Sequence, residues 1–508
     1  MERENLPNDV QTLQNLLLQQ KSMLSEQESQ LAQQNKLIVD KDRQIADLLD
    51  FIHLHRRNRF APSSESSQHQ PSLFNELEET INDDAEAETN NSKEKDNKKR
   101  GKRKLLPDYL PREEIIIDLP EEQKAGMKKI GEEISEKLFI FPAKIVVKRT
   151  IRYKYALIDG GDIITAPSPA ELLPKTMASS SLVAHIITAK YMDALPLYRQ
   201  EKIFERIHAS LTRQTMSRWL IQVSEKLIPL YNLLQDRCLD CTYLQMDETP
   251  TQVLNEDGKK ATSKSYMWVR HAPGDNPIIL YDYAPNRSGK VPLELLSGFT
   301  GALQVDGYDG YSAVCRENRI KRLGCMDHCR RYFFDASKTS KGKSIGKKGV
   351  RLIDKLYKTE ERIKDLSLSE RQLNRQEHSQ PILSELKNWI DDLRSKITPK
   401  SVAGKAVNYA YNEWKYLIRY MDDPSFNISN IGVENAIRPF ALGRKNWLFS
   451  ASVAGANASA MYYSLIETAK SNGLEPFDYL NKMLEKLPSA KTVDDFEKLL
   501  PLKGVFQA

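Results

Sequence analysis

Two aspartates share one local setting. Asp247 closes the apolar run TYLQM, and Asp306 closes the apolar run ALQV ahead of GYDGY. A carboxylate at the end of a buried strand loses hydration, and two on neighbouring strands repel each other. A hard divalent cation relieves both effects. Mg²⁺ takes oxygen ligands and keeps several waters, so two or three carboxylates form an open site suited to phosphate chemistry. The plainer reading, two unrelated turn-forming aspartates, is the stronger one while strand ends are the only observation. Glu434, within NISNIGVENAIRPFALGRKNWLFSAS, is the best candidate for a third acid. Arg438, Arg444 and Lys445 follow it in an apolar helical context, which sets a carboxylate beside cations able to bind phosphate. The lone CxxC, Cys238 and Cys241, has no second pair and is a weak metal site. In GCMDHCRR, His328 either orients DNA or a metal-bound water or is structural, while Cys325 and Cys329 read as small core residues.

The elements that must position these groups change in texture along the chain. TYLQMD, SYMWVRHA, PIILYDYA and GALQVDGYDGYSAV read as successive strands, and the helices after them predict a mixed sheet with helical cover. A long, polar, helical stretch at about 335–425 looks inserted before the β-poor segment 426–470. Its start carries basic residues at 331, 338, 341, 343, 347, 348 and 351, either a phosphate-facing surface or an ordinary exposed loop. Upstream, 180–235 reads as helices divided near Ala209 to Thr212. Thr212 is placed to cap a helix bearing Arg213, Gln214, Ser217, Arg218 and Trp219, the polarity of a helix laid in a DNA groove. A plain helical bundle fits the same pattern.

Residues 8–56 lack Pro and Gly and predict one long helix. Val10, Leu17, Leu24, Leu31, Ile38, Ile45 and Ile52 recur every seventh place, whereas the d positions Leu13, Gln20, Gln27, Gln34, Lys41 and Leu48 are half polar. So narrow a stripe predicts a coiled coil, the alternative being a helix packed on its own chain. Residues 61–105 form a Ser-, Asn-, Glu- and Lys-rich linker with a basic end, KEKDNKKRGKRK, either phosphate-binding or simply solvated. β-Branched runs around a helix at 127–138 predict a small α+β module over 106–161.

The chain has 508 residues, 28% charged and 40% hydrophobic, enough for about three domains and too polar for a membrane protein. Lys and Arg total 75 against 69 acids, a net charge of +6, which permits nucleic acid without proving it. No long apolar run and no signal-peptide pattern occurs, and five cysteines are too few for a disulfide framework. A cytoplasmic protein is expected.

Several blocks carry a family resemblance. QMDETPTQVL, DYAPNRSGKVPLELLSGFTGALQVDGYDGY, GCMDHCRRYFFDA, VENAIRPFALGRKNWLFSAS and YSLIETAKSNGLEPFDYL strongly resemble the large transposase of the insertion-sequence sixty-six family. RNRFAPSSE, LLPDYLPREEIIIDLP and LPLYRQEKIF resemble its elements beyond the core. The resemblance implies a multidomain α+β protein: a coiled-coil oligomerisation helix (1–60), the linker (61–105), a degenerate zinc-binding module (106–161) and a helix-turn-helix-like DNA-binding region (162–240). An RNase-H-like DDE catalytic core (241–470) and a helical tail (471–508) follow. The triad falls on Asp247, Asp306 and Glu434, holding two Mg²⁺ ions for which Mn²⁺ substitutes. Arg287, Arg330, Arg331, Arg438, Arg444 and Lys445 then join Arg213 and Arg218 as DNA-binding residues. The implied reaction is strand cleavage at transposon ends and attack of the freed 3′-OH on target DNA, in a homo-oligomer at the bacterial nucleoid, with accessory proteins of the element as further partners. The chain departs from the family in lacking cysteines across the 119–161 segment, which argues against zinc there. It also has Ser429, Asn430 and Ile431 where the family has Asp-Asn-Asn. Competing readings are a catalytically silent end-binding protein and an oligomeric scaffold.

Overall fold

A computed structural model describes residues 9–60, 145–155, 164–338 and 344–506. The chain forms two compact units, one of residues 62–168 and one of residues 1–61 with 169–508. In the first, β1 (Lys154–Tyr155) pairs antiparallel with β2 (Ile164–Thr165). The linker and most of the 106–161 module, including the helix expected at 127–138, lie outside the described residues.

The larger unit is built on a six-stranded sheet. β3 (Tyr243–Asn255), β4 (Lys264–Ala272) and β5 (Ile278–Ala284) form an antiparallel meander. β6 (Ala302–Gln304) and β7 (Lys321–Leu323) add on the other side of β3, parallel to it, giving the order β5-β4-β3-β6-β7. Tyr243, Leu244, Gln245 and Met246 are all buried, because the central strand is covered on both faces. Asp247 was expected at a strand end, yet β3 runs on to Asn255. Antiparallel pairing of Gln245–Gln252 with Lys264–His271 keeps the backbone extended past the aspartate. Conversely GALQVDGYDGYSAV is a strand only over its first residues. A parallel neighbour needs a crossover, and α6 (Lys290–Leu295) and α7 (Gly310–Glu317) supply those on either side of β6.

Among the described residues, four helices after α1 lead into the sheet. They are α2 (Ser180–Tyr191), α3 (Leu197–Arg206), α4 (Arg213–Lys226) and α5 (Ile228–Leu239). Thr212 caps α4 as its sequence predicts, its hydroxyl accepting from Thr215 N–H at 3.3 Å. After β7 come α8 (Met326–Lys338), α9 (Ile345–Ile363), α10 (Leu368–Asn374), α11 (Gln380–Arg394) and α12 (Val402–Leu417). They bury a core of their own around Phe333, Leu352, Leu356, Leu386, Val407 and Leu417, against Tyr243, Ala302 and Leu323 of the sheet. Arg375 is tied within it, 1% exposed. It pairs with Glu360 at 2.7 Å and donates to the carbonyls of Tyr420, Asp423 and Phe426 at 2.7, 3.0 and 2.8 Å.

The chain then enters α13 (Ile431–Trp447), β8 (Ser450–Ser452), which pairs with the far end of β3, and α14 (Val453–Ser471). α14 is apolar around most of its circumference, as a central helix must be. It also closes the sheet edge: Ser464 and Thr468 hydroxyls accept from the backbone N–H groups of Tyr281 and Ile279 at 2.8 and 3.0 Å. The last segment, with α15 (Pro476–Lys486) and α16 (Val493–Glu497), packs into the same core through Leu480, Met483 and Leu484. The N-terminal α1 (Val10–Phe60) is one continuous helix.

Candidate active site

The parallel register of β3 and β6 sets two of the acids side by side. Gln245 is the partner of Gln304, so Asp247 and Asp306, each two residues further on, leave adjacent strands on the same face. Both glutamines are fully buried. The Gln245 amide nitrogen lies 3.0 Å from Tyr243 Oη, 3.1 Å from Gln304 Oε1 and 3.1 Å from the Ser429 carbonyl. Gln304 donates to the carbonyls of Gly324 and Asn427 at 3.0 and 2.8 Å. Gln245 Oε1 accepts from Val433 N–H at 3.2 Å and lies 3.1 Å from His271 Nδ1. Each aspartate is thus preceded, two residues back, by a glutamine that binds the backbone leading into α13. Gly432 allows the close approach. A Cβ there would stand 2.5 Å from both Gln245 Oε1 and His271 Nδ1.

That packing puts Glu434, in the first turn of α13, with the two aspartates. Burial pushes the Asp247 carboxyl up to about 8; the Glu248 charge adds to this while the Glu248 backbone N–H, at 2.8 Å, opposes it, and the charges of Asp306 and Glu434 contribute further. Burial likewise raises Glu434, opposed by Arg331. Glu434 Oε2 is 3.6 Å from Arg331, and Oε1 is 3.7 Å from His328 Nδ1. Oε1 is buried and has no hydrogen-bond donor. Mutually repelling, dehydrated carboxylates with an undonated oxygen make a donor set that a hard divalent cation fits.

Glu248 was not foreseen from the sequence. Its side chain is only 1% exposed and is held by the Arg287 guanidinium and by the Tyr311 hydroxyl at 2.6 Å. The only signal was an acid within an apolar strand, and its partners come from distant loops. Arg287 also lies 4.0 Å from Asp306 and stacks on Tyr308 at 3.9 Å. Arg331 and Arg438 face Glu434, and Arg444 donates to Thr249 Oγ1 at 3.3 Å, two residues beyond Glu248's neighbour Asp247. Arg330 instead turns to Asp354 of α9 at 2.7 Å. Lys445 is exposed at the end of α13, and Arg213 and Arg218 are exposed on α4, which packs against α3 and α14. Cys238 is buried, and Cys241 donates to the Arg237 carbonyl at 3.4 Å.

Comparison with known proteins gives this architecture its class. Residues 175–458, from before the sheet to the start of α14, match the family model described as Transposase IS66 family. The protein is a transposase, an enzyme class that modifies DNA. The chain belongs to the IS66 transposase family. Residues 464–502 match the IS66 C-terminal element, and residues 47–115 match a model described as Transposase C of IS166 homeodomain. Among curated relatives, the uncharacterized protein y4jD of Sinorhizobium fredii is 34% identical over 418 residues, 78% of this chain and 81% of its own. The uncharacterized protein y4qI of the same organism is 30% identical, covering 78% of this chain and 77% of its own. The family assignment agrees with the resemblance read from the motif blocks.

Proposed function

We propose that the protein nicks DNA at transposon ends in a Mg²⁺-dependent reaction and joins the freed 3′-OH to target DNA. The observation that carries this reading is the convergence of Asp247, Asp306 and Glu434 from three separate elements into one electrostatically coupled, partly buried cluster. An RNase-H-like core accounts for the sheet order, for the single strand antiparallel to the rest and for the acid on a late helix.

Asp247, Asp306 and Glu434 would hold two Mg²⁺ ions, with Mn²⁺ as a substitute. When bound, the cations supply activation of water or a 3′-OH and neutralise charge on the transferring phosphoryl group. The chain's own groups do the positioning. The two buried glutamines fix the spacing of the carboxylates. Arg331 and Arg438 hold Glu434 in its rotamer and offer N–H donors to phosphate oxygens at its flank. Arg287 fixes Glu248 while standing beside Asp306. Arg444 and Lys445 extend the cationic side of the site, Arg330 lies on the neighbouring face of α8, and Arg213 and Arg218 bind duplex phosphates or base edges from α4. α1 joins protomers through its apolar seam. The protein acts in the cytoplasm, on terminal repeats and target DNA; among the described residues no helix is long and apolar enough to cross a membrane.

The test is a duplex carrying the element's terminal repeat, incubated with the full chain and Mg²⁺. A nick at the element boundary that leaves a 3′-OH, and that is lost on chelation, is the expected result. Specific end binding with no nick in Mg²⁺ or Mn²⁺ would instead identify an end-binding protein without catalysis.

A further inference from the structure

A second ligand set adjoins the carboxylate cluster and includes different chemistry. Cys325 and His328 stand three residues apart at the start of α8 and face the first turn of α13. Cys325 Sγ, a ring nitrogen of His328 and a carboxylate oxygen of Glu434 all lie within 4.8 Å of one another. This is the one such His, Cys and acid group among the described residues. His328 Nδ1 and Glu434 Oε1 face each other at 3.7 Å, too far for a hydrogen bond, and both are buried without any partner. An imidazole nitrogen and a carboxylate oxygen that face each other unsatisfied in a protein interior call for a proton or a cation between them. The sulfur is also in polar surroundings. Backbone N–H groups of His328 and Asn430 point at Cys325, favouring the thiolate, although burial dominates and raises the thiol.

We propose that Cys325, His328 and Glu434 form a binding site for one thiophilic divalent cation of the zinc type, with water as the fourth ligand. Thiolate, imidazole and carboxylate together favour such an ion over Mg²⁺, which takes oxygen ligands alone. Metal–ligand bonds of about 2.0–2.3 Å give tetrahedral edges of roughly 3.3–3.8 Å. The His328 to Glu434 separation of 3.7 Å already meets that, and the widest pair, within 4.8 Å, must close by about 1 Å. His328 and Glu434 keep 18% and 15% side-chain exposure, so the ion enters from their side and the fully buried sulfur forms the back wall. On binding, the S–H bond breaks, the sulfur–metal bond forms and the proton leaves to solvent. Arg331 lies 3.6 Å from Oε2 of Glu434, so the oxygen that faces His328 is Oε1, and the carboxylate can bridge the two sites through its two oxygens. The site takes no residue from the cysteine-free 119–161 segment. It goes beyond the phosphoryl-transfer reading and shares only Glu434 with it. A cation here would tie the start of α8 to the first turn of α13.

Cobalt titration of the full chain tests the proposal. One equivalent of Co²⁺ should produce a near-ultraviolet thiolate-to-metal charge-transfer band that Zn²⁺ displaces and Mg²⁺ does not. Zn²⁺ should also raise the melting temperature, because the assembled site binds it more tightly than the unfolded chain does. Cys325→Ser should abolish the band, whereas Cys241→Ser should leave it intact. His328→Asn, which keeps the thiol and covers the case of a Cys325 variant that does not fold, should weaken Co²⁺ affinity at least about tenfold, the low end for losing even an outer-shell partner. No band in the folded wild type, or a band that survives Cys325→Ser, overturns the site. DNA nicking without a thiolate band refutes this inference alone, and a band without nicking refutes only the phosphoryl-transfer reading.

Discussion

At the scale of single residues, the site depends on groups that do no chemistry. Gln245 and Gln304 each stand two residues before a catalytic candidate and bind backbone more than a hundred residues away in sequence, the Gln245 to Ser429 bond spanning 184 positions. His271 belongs to the same network through Gln245, and burial lowers its imidazole from 6.5 to about 4. Below about pH 6.5 the unfolded chain takes up a proton at His271 and the folded chain does not. Its contribution to stability is therefore present at neutral pH and lost as pH falls from 6.5 towards 4, by roughly 3 kcal/mol in all. Asp247 and Glu434, raised by burial, act in the opposite sense, so the comparison has to be with a variant at the same pH. His271→Asn keeps a donor towards Gln245 without a titrating ring. Urea unfolding at pH 7 and pH 5 should show a smaller loss of stability for the variant than for the wild type; equal losses would remove His271 from the acid response.

At the scale of elements, α13 is placed by contact with the sheet more than by its own sequence. Gly432→Ala would drive a methyl group to 2.5 Å from Gln245 and His271, which must displace the first turn and Glu434 with it. Overpacking of this kind costs about 1–3 kcal/mol, and end cleavage should fall at least about tenfold while the protein stays folded, since small misplacements of reacting groups are costly. Near wild-type cleavage by Gly432→Ala would show that α13 tolerates the shift. In the helical region after β7, Arg375→Met leaves Glu360 and three carbonyls without their donor. Denaturant titration should register a loss of roughly 3 kcal/mol, as for other broken buried ion pairs; a change below about 1 kcal/mol would mean the pair is replaced by water. These elements differ in how far sequence reveals them. β3, β4 and β5 were legible as apolar runs, and the cap at Thr212 as a polar residue before a periodic segment. Asp247 lies in mid-strand because β4 extends the pairing, which depends on a partner strand and not on the run itself. β6 is short because its continuation is taken up by a crossover. Glu248 with Arg287 and the two-glutamine network escaped because side-chain bonds between distant segments leave no local pattern.

At the scale of the whole molecule, α1 leaves its apolar positions uncovered within one chain. Val10, Leu17, Leu24, Leu31, Ile38, Ile45 and Ile52 are 45–69% exposed. The proposed function has a second copy cover this heptad seam. Leu24→Glu with Leu31→Glu places charges in that seam, and light scattering should then give a smaller particle with paired-end complexes reduced more than single-end binding. An unchanged mass with normal end pairing would place the oligomer interface elsewhere. The proposed end cleavage requires the three carboxylates to act as one metal-dependent centre. The most direct measurement compares Asp247→Asn, Asp306→Asn and Glu434→Gln with the wild type on one end-containing duplex in Mg²⁺, scoring binding and nicking on the same samples. Each amide should bind the end as the wild type does and nick at least about a thousandfold more slowly, a loss of some 4 kcal/mol in transition-state stabilisation. Nicking at near wild-type rate by any one of them would contradict the account, because that carboxylate would then have no part in the reaction.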